Sequence, residues 1–167
     1  VFSPHPPRGT PPSVVHGPDG LGDERVQELA RWTNLSETSF LLAPRDPGAD
    51  YRVRIFTPGG ELPFAGHPTL GTCHAWLAAG GKPRDPGMVV QECGVGLVRV
   101  RRGGQRLEFA APPLRRTGAL EAAVLGQVTR ALNIPAPDIR HHQWVDNGPG
   151  WCGVILASAT QVLSLKP

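Results

Sequence analysis

Aromatic side chains and cysteines are both scarce in this chain, and each shortage removes a class of explanation. Phe, Trp and Tyr supply 6% of the 167 residues, so Leu, Val, Ala and Ile must fill most of any core. The three cysteines, Cys73, Cys93 and Cys152, are far apart and form no CxxC pair. An odd, sparse set of this kind argues for reduced thiols and against a disulfide framework. No cluster of His, Cys, Asp and Glu has zinc spacing, so no metal site is expected. Ser36, Ser39 and Ser158 lack the G-x-S-x-G turn of a hydrolase nucleophile. No Lys follows Gly66 or Gly71 as a phosphate loop requires, and Gly94 with Gly96 is too little to imply a nucleotide. Nothing calls for a cofactor. The formal net charge of +3 is small and evenly spread, which disfavours a nucleic-acid partner; Arg99, Arg101, Arg102 and Arg106 read as the solvated face of a hairpin. No apolar run approaches the ~20 residues of a membrane span. Val1 onward has no basic segment leading into an apolar one. A cytoplasmic protein with no membrane contact is expected, with a few residues missing ahead of Val1 because no methionine begins it.

What is abundant is punctuation. With 21 Gly and 19 Pro, the chain should be built of many short elements joined by tight turns, while 40% hydrophobic and 19% charged residues are enough for a packed core. The opening, with Pro4, Pro6, Pro7, Pro11 and Pro12, can only be extended or turning. Val14-Val15 reads as a short strand and Gly17-Pro18-Asp19-Gly20 as a turn. The spacing of Val26, Leu29, Ala30 and Trp32 predicts a helix capped by Asp23 and ended by Asn34-Leu35. Ser36 to Leu42 and Tyr51 to Thr57 predict strands. A central helix follows from His67 to Ala79, stopped by Gly80-Gly81. Three strands are predicted at Met88 to Cys93, Gly96 to Arg102 and Gln105 to Ala110, the last two joined at Gly103-Gly104. Beyond a boundary near residues 112–118 come a helix over Leu120 to Leu132, a loop from Pro135 to His142, strands at Gln143 to Val145 and Trp151 to Leu156, and a last helical turn capped by Ser158. The expected layout is a strand-rich unit around one helix, then the opening of something similar that stops part-way.

The stretch Gly59 to Thr72 draws attention because it joins a strand to a helix N-terminus through four glycines. Such a junction can present backbone N–H groups to an anion, and Pro68 suits the first turn of the helix it opens. His67 stands at that terminus, where an imidazole can donate to a carboxylate or relay a proton; the plainer alternative is a His that caps the helix. Glu37 lies among apolar and hydroxyl side chains with Phe40, Leu41 and Leu42 close behind. A carboxylate in such a setting, once desolvated, passes protons near neutral pH; the alternative is a Glu on the wet face of a half-exposed strand. His74 shares a helix face with His67 and is expected to pack against the core or to satisfy a carbonyl. His141-His142 is expected to be solvated loop, and Cys93 a small buried hydrophobe rather than a nucleophile.

Three blocks carry more than local pattern. Asn34-Leu35-Ser36-Glu37-Thr38-Ser39-Phe40, Arg54-Ile55-Phe56-Thr57-Pro58 with Glu61-Leu62-Pro63-Phe64-Ala65-Gly66-His67-Pro68-Thr69-Leu70-Gly71-Thr72, and Asp146-Asn147-Gly148-Pro149 resemble, in order and spacing, the phenazine-biosynthesis isomerase-like (PhzF-type) family. The resemblance implies an α+β fold of the diaminopimelate-epimerase type: two similar domains, each a strand-rich barrel around a central helix, with the active site in the cleft between them. It implies residues 1–114 as the first domain and 115–167 as the start of an incomplete second. It further implies cofactor- and metal-free isomerisation of a small carboxylate-bearing molecule. Glu37 would then be the proton shuttle and His67 its companion, and Gly66, Pro68 and Thr69 would bind the substrate's carboxylate. A homodimer is the expected assembly.

The departures from the family pattern carry expectations of their own. Ala65 stands where the epimerases proper have the first of two cysteines, which argues against a two-thiol racemase. Gly9-Thr10-Pro11 replaces G-N-P, Pro7 replaces a common Phe, and the E-D-P-x-T-G-S block with its active-site Asp is absent. These leave open a second reading: a truncated, non-catalytic half that dimerises or binds a small acid.

Overall fold

The computed structural model describes all residues except Pro4, Pro6, Pro7, Pro18, Asp19 and Gln105. The expected proline-rich conformation at Pro4, Pro6 and Pro7, the centre of the Gly17 to Gly20 turn, the first residue of the strand beginning at Gln105 and the departure at Pro7 lie outside the described residues. The chain divides into two units, Val1–Pro112 and Pro113–Pro167.

The first unit runs β1 (Ser13–His16), α1 (Asp23–Thr33), β2 (Thr38–Leu42), β3 (Tyr51–Thr57), β4 (Gly60–Leu62), α2 (Gly66–Ala78), β5 (Met88–Cys93), β6 (Gly96–Gly103) and β7 (Arg106–Phe109). Its sheet has the order β1-β2-β3-β5-β6-β7, with β4 paired to the end of β3. β1 with β2 and β3 with β5 are parallel and the remaining pairs antiparallel. Strands from both ends of this order, β1 and β7, touch α2, so the sheet curls round that helix. The packing explains it. Leu41, Tyr51, Val53, Ile55, Val89 and Val100 bury one face of the sheet against Ala65 and Cys73, with Leu70, Trp76 and Leu77 of α2 partly buried beside them. On the other face α1 sets Val26 and Ala30 against Phe40 and Phe56, whose rings meet edge to face at 5.5 Å. β2 is therefore covered on both sides, which is why four of its five residues are buried rather than every second one.

Local chemistry fixes the element ends. Asn34 ends α1 in the left-handed conformation (φ 51°), its N–H donating to the Arg31 carbonyl, and Gly80 follows α2 at φ 91°. Three expectations are corrected here. Asp23 does not cap α1: Gly22 holds the cap position, and the Asp23 carboxylate accepts from Arg54 at 2.6 Å instead. Arg54 also forks onto Glu61 at 2.8 and 2.7 Å, clasping the α1 N-terminus to the β3–β4 hairpin; Gly60 to Leu62 is thus a strand and not merely part of a glycine-rich turn. Trp32 is 81% exposed, off the apolar stripe of α1. The arginines of β6 and β7 do lie on the solvated face, Arg101 pairing with Glu108.

The second unit contains α3 (Ala122–Leu132), a 3₁₀ turn (Ala136–Asp138), the antiparallel pair β8 (His141–Trp144) and β9 (Cys152–Ile155), and α4 (Ala159–Leu163), capped by the Ser158 hydroxyl, which accepts from the Gln161 N–H. The turn between β8 and β9 is organised by Asp146. Its carboxylate accepts from the Gly148 and Gly150 N–H groups, both at 2.8 Å, and these bonds hold it below the usual carboxylate range. The Trp144 indole donates to Glu121 at 3.0 Å under the Arg116 guanidinium, 3.5 Å above the ring. His141 and His142 lie on β8 and not in a loop; His142 is half-buried, its Nδ1 accepting from the Leu120 N–H at 3.1 Å.

Candidate functional site

Two short segments of the first unit meet at the open end of α2. One is the chain just before β2. Glu37 precedes the first paired residue, Thr38, so it lies outside the strand expected to contain it; its carbonyl accepts from the Ser13 N–H at 3.4 Å, extending the β1–β2 pairing by one weak bond. The other is the first turn of α2. Ala65 is extended (φ −151°, ψ 140°) and the helix begins at Gly66, which puts His67 second and Pro68 third.

The geometry brings Glu37 and His67 together. Glu37 Oε2 and His67 Nε2 are 3.2 Å apart, and the two side chains are 12% and 13% exposed. Both atoms are shielded from solvent, yet neither is aligned for a hydrogen bond with the other or with any further described residue. The pair is therefore a close contact held by the backbone rather than by its own bond. Burial depresses the pKa of the imidazole below its ordinary value, against the Glu37 carboxylate, which acts to raise it. The neutral ring is favoured as a result.

Beside this pair the Gly66 and His67 N–H groups open the helix, where no intrahelical acceptor reaches them and the dipole is positive. Gly66 is needed for closeness: a Cβ there would sit 3.1 Å from Cζ of Phe109, whose ring meets Phe64 edge to face at 5.6 Å. Pro68 and Thr69 face inward. Both are fully buried, and the Thr69 hydroxyl donates to the Ala65 carbonyl at 2.9 Å. Their side chains lie beneath the turn and shape it from there.

The other candidates disperse. His74 is exposed and so does not pack into the core. Cys93 is half-buried with Sγ 3.6 Å from the Gly96 carbonyl, and burial pushes its thiol pKa up; the buried Cys73 thiol is pushed up to about 11. Neither is a ready thiolate nucleophile. No group of three or more His, Cys, Asp and Glu among the described residues could hold a metal ion, and no described helix is long and apolar enough to cross a membrane. Phe109, at the Gly66 wall, went unnoticed in the sequence, although its alternation with Leu107 along β7 marks it as inward-facing.

The chain is similar along its length to known proteins. Residues 1–167 match the profile of a family described as phenazine biosynthesis-like proteins. The chain is 39% identical over 175 residues to antisense-enhancing sequence 1 of Schizosaccharomyces pombe, an alignment covering 100% of this chain and 59% of that protein. It is 51% identical over 84 residues to the trans-2,3-dihydro-3-hydroxyanthranilate isomerase of Pseudomonas aeruginosa, covering 50% of this chain and 30% of the isomerase. A solved Pseudomonas aeruginosa structure described as a predicted epimerase superposes with a TM-score of 0.79 at 26% identity, over 99% of this chain and 60% of its own. The chain thus spans less than two thirds of the length of each of these relatives.

Proposed function

The chain belongs to the phenazine biosynthesis-like protein family, and from that premise we propose that its Glu37–His67 site isomerises a small carboxylate-bearing molecule by moving a proton, without a cofactor. The observation that carries the reading is the 3.2 Å approach of the two side chains, both nearly enclosed, at the N-terminus of α2. The Glu37 carboxylate takes a proton from a carbon next to a conjugating group. The electron pair of the broken C–H bond passes into the conjugated system, and the Glu37 carboxyl returns the proton to another carbon. Composition is unchanged and no oxidant or reductant is consumed. His67, favoured neutral, keeps a ring nitrogen against the carboxyl through both half-steps. The Gly66 and His67 N–H groups hold the substrate's carboxylate at the positive end of the helix. The substrate to try first is the one in the isomerases' name, trans-2,3-dihydro-3-hydroxyanthranilate.

The test is conversion of that compound, followed by absorbance and by product mass. Conversion at unchanged mass is expected. Glu37→Gln should lower kcat by about 10²–10⁴-fold, with a much smaller change in KM. Binding of the acid with no turnover by the parent protein would support the non-catalytic reading, and a fully active Glu37→Gln would overturn the assignment of Glu37.

A further inference from the structure

Beneath the site runs a buried chain of hydrogen bonds that the proton transfer does not use. The Tyr51 hydroxyl donates to Gln91 Oε1 at 2.9 Å, Gln91 Nε2 donates to Thr69 Oγ1 at 3.1 Å, and Thr69 Oγ1 donates to the Ala65 carbonyl at 2.9 Å. Tyr51, Gln91 and Thr69 are 1%, 0% and 0% exposed. They belong to β3, β5 and α2, so the chain ties two strands to the opening turn of the helix.

From this we infer that Gln91 is a positioning residue for the Glu37–His67 pair, acting through Thr69 on the first peptide of α2. The chain has one direction of donation, and only a neutral amide fits its middle. Glutamate would have no donor for the Thr69 hydroxyl, and that hydroxyl would then turn its own proton away from Ala65; methionine would neither donate nor accept. Its end-point matters most. The Ala65 carbonyl also accepts the Thr69 N–H at 3.2 Å, so two bonds from one residue pin it. A trans peptide is planar, and its N–H points opposite to its C=O. Fixing the Ala65 carbonyl inward therefore fixes the Gly66 N–H outward, into the site, and sets where His67 begins relative to Glu37. An apolar side chain would fill the space at Gln91 equally well, whereas a buried polar chain is costly unless complete. The pair itself has no aligned hydrogen bond to hold it, which leaves the backbone beneath to do so.

This inference rests on the Glu37–His67 site but not on its chemistry, and its test needs no substrate. Gln91→Met, Thr69→Val, Thr69→Ser and the Gln91→Met/Thr69→Val double variant are compared by ¹H–¹⁵N NMR, reading the Gly66 and His67 amides and the His67 ring nitrogens, the latter assigned with His67→Gln. Folding is checked by circular dichroism. Gln91→Met and Thr69→Val should each shift the Gly66 and His67 signals, the double variant should shift them no further than either alone, and Thr69→Ser should restore them. Folded Gln91→Met with unchanged Gly66 and His67 signals would overturn the inference, as would additive shifts in the double variant. If Gln91→Met does not fold, the Thr69→Val and Thr69→Ser comparison decides: equal signals in the two reject the inference. Loss of turnover in Glu37→Gln bears on the proton transfer alone, so the two readings fail separately.

Discussion

At the scale of single residues, His67 makes the clearest statement about pH. Its pKa is depressed in the folded protein, first by burial, while in the unfolded chain it returns to about 6.5. Between those two values the unfolded chain binds more protons, so folding stability rises with pH across that window and is complete above about 6.5. On acidification the stability falls as pH drops from about 6.5 towards the folded value. His67→Gln removes this contribution, so urea midpoints measured from pH 8 down to pH 5 should show a shallower decline than in the parent; identical slopes would mean that burial does not hold the ring neutral. Glu37 and His67 were both legible as single candidates, one from its apolar neighbours and the other from its place after Gly66. Their meeting was implied only by the family resemblance and was not legible in the residues themselves. Thirty positions separate them in the sequence, and nothing in either segment's spacing says that β2 starts beside the α2 terminus. The burial of Thr69 and its bond to the Ala65 carbonyl were not legible either, because a hydroxyl near a helix start reads equally as a ligand or as a buried strut.

At the scale of elements, packing decided what periodicity could not. β3 alternates cleanly because its second face is only partly covered, and the strands β5 to β7 and the αL end of α1 were readable for similar local reasons. β2 was read too long and its burial on both faces could not be foreseen, since α2, which covers one of them, comes from a later part of the chain. Trp32 fits a helical spacing but not the narrow stripe that α1 buries. β8 was cut short because two histidines look like loop when their partners, Ile155 and Val154, come only after the intervening turn. Two predictions belong here. Phe40, fully buried and edge to face with Phe56, bonds α1 to the sheet; Phe40→Ala should cost about 3–5 kcal/mol in chemical denaturation. Asp146→Ala leaves the Gly148 and Gly150 N–H groups without their acceptor and should cost about 1–3 kcal/mol in the second unit, read as faster amide exchange along β8 and β9. Stability unchanged by either substitution would contradict the packing described here.

At the scale of the whole chain, the two units differ in how much they bury. The first has two apolar clusters, one on each face of its sheet, whereas α3 of the second has no buried residue. Amide hydrogen exchange should therefore grade along the chain, slowest in β3, β5 and α2 and fastest in α3 and α4. Fold and family were legible from three motif blocks, since they mark a strand, a helix start and a turn whose chemistry is local. The central claim is narrower than either: Glu37 moves the proton. It is tested most directly by running the reaction in D₂O with trans-2,3-dihydro-3-hydroxyanthranilate and measuring carbon-bound deuterium by mass spectrometry. The parent protein should incorporate solvent deuterium and Glu37→Gln should not. Deuterium entering at an undiminished rate in folded Glu37→Gln would contradict the account.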